Sequence, residues 1–434
     1  MAYKPRCGIG SATDIYQMPA VAMPAWRGSF VDPVFGTVIT RMSDLSQSPV
    51  STPTPNNAII YEYPPAVPIS KDKTWITMFA RGGTNSGWGG VFRVSDGALM
   101  SSWISPGNAM ESGFHWSPTN DNIGWFQSNR WSCRIDMPSG TITQLYRPTR
   151  ADGSQFTYSD ARGNGSVSHT NRWHAFHAST YQSALPNEWQ VYDRLSNSLY
   201  KRIDAPDYTA GLFPAPYSGL VVAGGDTETH DTKLYDIDFN YIRRLSRLVS
   251  HGDVALGSGG DEYYLYMAQL QTQRDDVGWW GFTKVRLSDG LTTKVPGFDG
   301  GPIYAYHISG CISYSHPGWC VLSHYSDVLP SPFIRPGEHE VWLWNFETGE
   351  VRRLAHTHNT PEVGKDYWSE TQASSSWDGN AILFKSNWGA PTIDRQVHTY
   401  MITPPTGSTF WQEEILQTTS RKNWPSDHWA AKRW

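Results

Sequence analysis

The sequence predicts an all-β propeller of about seven four-stranded blades, and three observations lead there. The first is composition. Aromatic residues make up 14% of the chain, with 21 Trp and 22 Tyr, beside 39 Gly and 29 Pro. Rings favour a pleated, half-buried surface, and Gly and Pro punctuate turns. The second is short apolar runs that end at Asp-Gly or Thr-Gly turns. The third is that this strand-and-turn unit recurs at roughly 40 to 55 residues, the spacing of propeller blades. A pair of β-sandwiches is the alternative. The steady period and the lack of a Pro/Gly-rich linker near mid-chain argue against it.

The clearest unit is residues 367–389. Small polar residues come first, then the turn Ser376-Trp377-Asp378-Gly379, then the apolar run Ala381-Ile382-Leu383-Phe384. Gly379 supplies the positive φ of a tight hairpin turn. Side chains alternate along a strand, so Glu370, Gln372 and Ser374 are expected on one face.

Taken in order, residues 1–30 show no periodicity and read as an N-terminal arm. Residues 35–42 form the first good strand, and the Ser/Thr/Pro-rich stretch 46–57 reads as a loop. Residues 31–404 are assigned to the propeller. Units follow from Ile59, His115, Ser166, Gly219, His251, His307 and Tyr367, each closing on strands such as Val91-Phe92-Arg93-Val94 or Val341-Trp342-Leu343-Trp344. The last unit lacks a clear fourth strand before Pro404. Giving it the strand at residues 37–42, paired with residues 397–402, closes the ring and removes two free sheet edges. Residues 405–434 form a Trp-rich extension expected to pack on the rim.

The net charge of -5 and pI near 6.3 argue against non-specific nucleic-acid binding, which needs a basic surface. No run of about 18 apolar residues occurs, so no membrane span is expected. Residues 1–10 carry no apolar core of signal-peptide length. A secreted or extracellular setting, without a signal peptide in this chain, is the favoured reading of location. Cys7, Cys133, Cys311 and Cys320 do not have zinc-ribbon spacing. Cys311 and Cys320 leave two readings, a bridge across a hairpin or buried free thiols. The P-loop, G-x-S-x-G and H-E-x-x-H patterns are absent, which removes nucleotide chemistry and serine hydrolysis from the leading candidates.

Inner strands line a propeller's axis, so polar residues just before them are the default site. These are Glu62, His115, His251, Asp253, His307, Glu370 and Gln372. His251 and His307 hold equivalent places in neighbouring units. Asp253 follows His251 by two residues on the same strand face. A carboxylate beside an imidazole fixes its tautomer and raises its pKa, as a general base requires. The pair His356-x-His358 has strand parity but reads as a surface feature, and Asp275-Asp276 reads as loop solvation. Trp88, Trp131, Trp279, Trp280 and Trp388 stand within two residues of Gly or Asn and are candidate exposed platforms. Indoles with polar neighbours suit the C–H faces of sugars. Glu62, His115, Arg130 and Trp388 are the residues assigned to substrate contact.

The last unit with its Ser-x-Asp-Gly turn and Ile-Leu-Phe-x-Ser, together with the spaced His251, His307 and Glu370/Gln372, resembles the seven-bladed propeller polysaccharide lyases, oligogalacturonate lyase in particular. His307-Ile308-Ser309 and Pro317-Gly318-Trp319 resemble uncharacterised secreted bacterial propellers as well. The resemblance spans about residues 32–403 and is sharp only over 250–390. It implies β-elimination on an acidic, uronate-containing oligo- or polysaccharide in the central channel. His251 would be the base that takes the proton α to the carboxylate. His307, Glu370 and Gln372 would hold a divalent cation that neutralises that carboxylate. Glu370 and Gln372 stand where such a lyase has two histidines, and this harder, oxygen-rich set suits Ca²⁺ or Mn²⁺ over Zn²⁺. The lyase arginine beside the base has no counterpart here; Asp226, His230 and Asp231 occupy that region. A non-catalytic glycan-binding or structural, virion-type propeller is the rival reading.

Overall fold

In the computed structural model the chain forms short antiparallel strands, as the brief apolar runs between turns require. It describes residues 8, 10, 13–44, 58–61, 64–81, 89–102, 114–128, 131–156, 158–160, 172–179, 188–206, 211–215, 217–224, 230–247, 252–268, 271–297, 305–325, 336–359, 370–389 and 397–411. Among the described residues five four-stranded sheets stand apart, over residues 115–146, 158–204, 211–246, 252–294 and 305–356, and in each the strands pair in chain order. The fold is an all-β propeller.

The other strands form one sheet of nine. It contains Ala58–Ile60, Trp75–Arg81, Gly89–Arg93 and Leu99–Ser102, then Ser374–Ser375, Ile382–Ser386 and Val397–Thr403, and finally Val38–Arg41 and Ser29–Val31. The expectation of about seven blades therefore meets five separate four-stranded sheets and one fused sheet. Fusion has a local cause: Ala58–Ile60 pairs in parallel with Val397–Thr403 at Ala58↔Val397 and Ile59↔His398. The expected pairing of the early strand with the last one is present, running from Val38↔Thr403 to Arg41↔Tyr400.

Burial follows position in the sheet. Glu340–Asn345 and Ile382–Ser386 are buried at every residue, because neighbouring sheets cover both faces. The outer strand Thr141–Tyr146 is exposed over its first four residues. Core clusters lie between consecutive sheets. One joins Ala255, Leu265 and Phe282 to Ile308, Leu322 and Trp344, and another joins Phe213 and Val222 to Tyr264 and Val285. Trp116, Trp189, Trp342 and Trp344 are among the largest enclosed side chains. An aromatic of this size removes roughly 150–250 Å² from water, an upper figure of about 4–6 kcal/mol each.

The outer strand Val351–His356 departs from this gradient and is wholly buried. Residues 14–37 cover it. Arg353 donates to the carbonyl of Asp14, the His356 ring nitrogen lies 3.2 Å from the carbonyl of Tyr16, and Thr37 Oγ1 donates to the carbonyl of Leu354 at 2.5 Å. His356 and His358 are thus core residues and not surface ones. His358 stacks on Trp388 with ring centroids 4.2 Å apart. Asp276 lies in a short helix, Gln271–Val277, and binds Arg244 at 2.6 Å. Cys133, Cys311 and Cys320 are buried, and Cys311 and Cys320 are thiols that do not bridge to each other.

Candidate functional site

The entry ends of two neighbouring inner strands bring the three candidate metal ligands together. His307 sits in Ala305–Ser309, and Glu370 and Gln372 precede Ser374–Ser375. Glu370 Oε2 lies 3.5 Å from His307 Nε2 and accepts the Gln372 side-chain amide at 3.1 Å. Gln372 has φ +42°, in the left-handed region, so the chain turns here and does not run straight into its strand.

Two residues that the sequence reading did not single out complete the cluster. Lys385, in Ile382–Ser386, is 1% exposed, and its ammonium donates to Gln372 Oε1. Its backbone N–H donates to the Thr371 carbonyl at 3.0 Å, which sets strand and entry segment side by side. Lys385 Nζ also stands 5.2 Å from the Tyr61 ring centroid. Tyr61 is enclosed, and its hydroxyl donates to the carbonyls of Gln372 and, at 3.0 Å, Leu383. Burial holds its pKa well above the ordinary tyrosine value. The only faint signal for Lys385 in the sequence is a lone cation ending an apolar strand.

The cluster is graded in exposure. His307, Gln372 and Lys385 are enclosed, whereas the Glu370 side chain is 21% exposed. Glu370 is therefore the most exposed member of the cluster. Its direction is also fixed. An ammonium only donates and an ionised carboxylate only accepts, so Gln372 must turn Oε1 to Lys385 and its N–H to Glu370.

This polarity bears on the implied cation. Gln372 offers a donor, not a lone pair, to the place where Glu370 and His307 meet. Its one side-chain oxygen already accepts from a fixed positive charge. Two like unit charges about 4 Å apart repel by about 4 kcal/mol at an effective dielectric of 20, and a divalent ion doubles that. As arranged, His307, Glu370 and Gln372 do not fit a shared divalent cation. Among the described residues no group of three His, Cys, Asp or Glu side chains is placed to hold one.

The remaining assigned residues divide. His251, Glu62 and Arg130 lie outside the described residues. Asp253, expected to orient His251, is buried in Gly252–Leu256. Its Oδ2 accepts the Gly310 N–H at 2.6 Å and its Oδ1 the Val254 N–H at 2.8 Å. Burial pushes its carboxyl up to about 7, against those two hydrogen bonds. The carboxylate thus clasps one blade to the next. His115 is 3% exposed, and burial lowers its pKa to about 4. Trp388, expected as an exposed platform, is 9% exposed. It packs against His358, Tyr400 and Phe30, and its indole N–H donates to the Val21 carbonyl at 3.0 Å. The N-terminal segment covers it, so no indole face is offered to a sugar.

The exit ends of the same inner strands are apolar. Val67, Cys311 and Trp377 pack together with Tyr314, and the Trp377 N–H donates to the Trp116 carbonyl at 2.5 Å. Cys311 follows His307, and Trp377 follows Gln372, so this aromatic floor lies opposite the polar entry.

Among solved structures, the oligogalacturonate lyase of Vibrio parahaemolyticus is similar to this chain, with a TM-score of 0.56 and 11% identity over 88% of this chain and 97% of that one. The WD40 domain of Neurospora crassa Pan2 is similar with a TM-score of 0.50 and 12% identity, over 86% and 98%. At such identities the likeness is one of fold. No protein-family model and no curated protein sequence matches the chain.

Proposed function

We propose that this chain is a glycan-active propeller that works at the polar entry of its inner strands, by β-elimination on a uronate-containing oligo- or polysaccharide. The observation that carries the reading is the meeting of His307 and Gln372 on Glu370, the one accessible group of an otherwise enclosed cluster. The aromatic floor at the far end supports a ligand entering from the same side. An oligogalacturonate lyase among the structural neighbours agrees with this chemistry. In this reading His251, one residue before Gly252–Leu256, is the proton acceptor. Glu62 and Arg130 are substrate contacts; His115 and Trp388, both enclosed, are not.

The proposal includes a ring of about seven blades, with the nine-stranded sheet counted as two. Support comes from Ile59, Ile76 and Phe92 packing on Ala381, Leu383 and Met401, and from Val38–Arg41 pairing with Val397–Thr403. The early strand then closes the last blade.

Elimination creates a conjugated C=C, so absorbance near 235 nm during incubation with a panel of uronate polysaccharides tests the activity. Turnover is expected, and His251→Ala is expected to lower it by roughly 10²–10⁴-fold, the usual share of a proton-transfer group, while Glu370→Gln is expected to lower it through loss of the cluster's exposed carboxylate. A flat trace on every polymer, with glycan-array binding intact, would replace this reading by a non-catalytic glycan-binding propeller. One observation favours that second reading: Asp253 holds two backbone amides, one through each carboxylate oxygen.

A further inference from the structure

We infer that Lys385 is the resident cation of the entry cluster. It stands in for a divalent ion and positions Glu370 through Gln372, so the site is metal-independent. The inference deepens the reading of the same site, yet it rests on geometry that needs no substrate.

Lys385 is the fourth of the five residues of the buried strand Ile382–Ser386 and is 1% exposed, too deep to touch a ligand. An enclosed ammonium must be hydrogen-bonded, and the Gln372 oxygen meets part of that need. The Tyr61 ring presents its negative face 5.2 Å from Nζ. Gln372 is then pinned twice, at its oxygen by Lys385 and at its carbonyl by the Tyr61 hydroxyl. A pinned amide has one orientation, and its N–H holds Glu370 Oε2 at 3.1 Å. Glu370 is thereby fixed against His307 with its carboxylate at the entry. Lysine, glutamine and glutamate form a single donor-to-acceptor chain, and a metal ion has no oxygen of Gln372 to bind unless that chain breaks. Lys385 is a positioning residue in this scheme, since it acts through Gln372 and touches nothing that enters.

The test uses the full chain and bare ions. Mn²⁺ and Ca²⁺ are titrated calorimetrically into wild-type protein, Lys385→Met, Lys385→Arg and the double variant Lys385→Met/Glu370→Gln. Wild type and Lys385→Arg, which keeps a cation and donors, are expected to bind neither ion more tightly than about 1 mM, weaker than ordinary protein calcium sites. Lys385→Met frees the Gln372 oxygen and removes the charge, so Mn²⁺ affinity is expected to rise at least about tenfold, a 1.4 kcal/mol change. The double variant should lose that gain. A merely structural lysine would lower the melting temperature of Lys385→Met and leave its ion binding like that of wild type; that result overturns the inference. So does wild-type protein that takes up near one ion per chain and loses it on His307→Ala. Lys385→Gln is read in the same way should the methionine variant not fold, and the wild-type titration stands without either. None of these readouts uses a glycan, so failure here leaves the elimination reading intact, and an inactive protein leaves the ion result intact.

Discussion

Asp253 shows how one side chain trades reactivity for architecture. Its two oxygens hold the N–H groups of Val254 and Gly310, the latter from the next blade. Gly310 is needed for that approach, because a Cβ there would come within 2.3 Å of the Val254 carbonyl oxygen. Asp253→Ala leaves both amides buried without an acceptor and is expected to lower stability by roughly 1–3 kcal/mol. The pH dependence has a definite sign. Burial raises the folded carboxyl to about 7, above the unfolded value near 3.8. Its contribution is therefore complete below about pH 4 and is lost as the pH rises through about 7. The penalty of Asp253→Ala should be larger at pH 5.5 than at pH 8.5, measured by denaturant unfolding. An equal penalty at both would mean that Asp253 does not titrate between them.

Among elements, the early strand carries the most consequence for its length. Val38–Arg41 covers the edge of Val397–Thr403, and the segment before it covers Val351–His356. Deleting residues 1–44 uncovers an antiparallel edge and a buried outer strand together, and exposed edges seek partners. Aggregated protein is expected on size-exclusion chromatography; a soluble monomer with one sharp melting transition would count against the closure. This pairing was legible in the sequence because the last unit came up one strand short. The meeting of His307 and Glu370 was legible for a related reason: equivalent positions in a repeat point to the same axis. Other features had no local signal. Gln372 leaves the extended region, so strand alternation alone does not give its direction. Lys385 reads as a solvated strand end until Gln372 and Tyr61 are seen to enclose it. Trp388, His356 and His358 are buried by residues more than 300 positions away, in a segment with no periodicity to announce it.

At the scale of the whole molecule, the buried imidazoles set how the fold responds to acid. Burial lowers the pKa of His115, His356 and His358 to about 4, and that of His174 and His398 to about 3. His324 is held well below its ordinary value by the same cause, and its Nδ1 accepts the His339 N–H at 3.0 Å. An unfolded histidine titrates near 6.5. Between about 6.5 and the folded values the unfolded chain binds more protons, so stability falls as the pH falls through that range. Each pH unit separating folded and unfolded values is worth about 1.4 kcal/mol per group, and a domain's whole stability is about 5–15 kcal/mol. Among the described residues three carboxyls oppose the trend, and one of them is Glu262, which burial holds above its ordinary value. Burial raises Asp253 and Glu340 to about 7, the latter despite its ion pair with Arg353, and such groups favour the folded state toward lower pH. They are outnumbered by the histidines over the same range. The melting temperature should accordingly be highest near neutral pH, fall steeply below about pH 6, and reach acid unfolding before pH 4. His115→Gln keeps a polar side chain of similar reach but cannot take up the proton, so its acid midpoint should move to lower pH than that of wild type. A melting temperature that stays level from pH 7 to pH 4.5 would mean that these imidazoles reach water in the folded protein, and the enclosed packing around them would have to be redrawn.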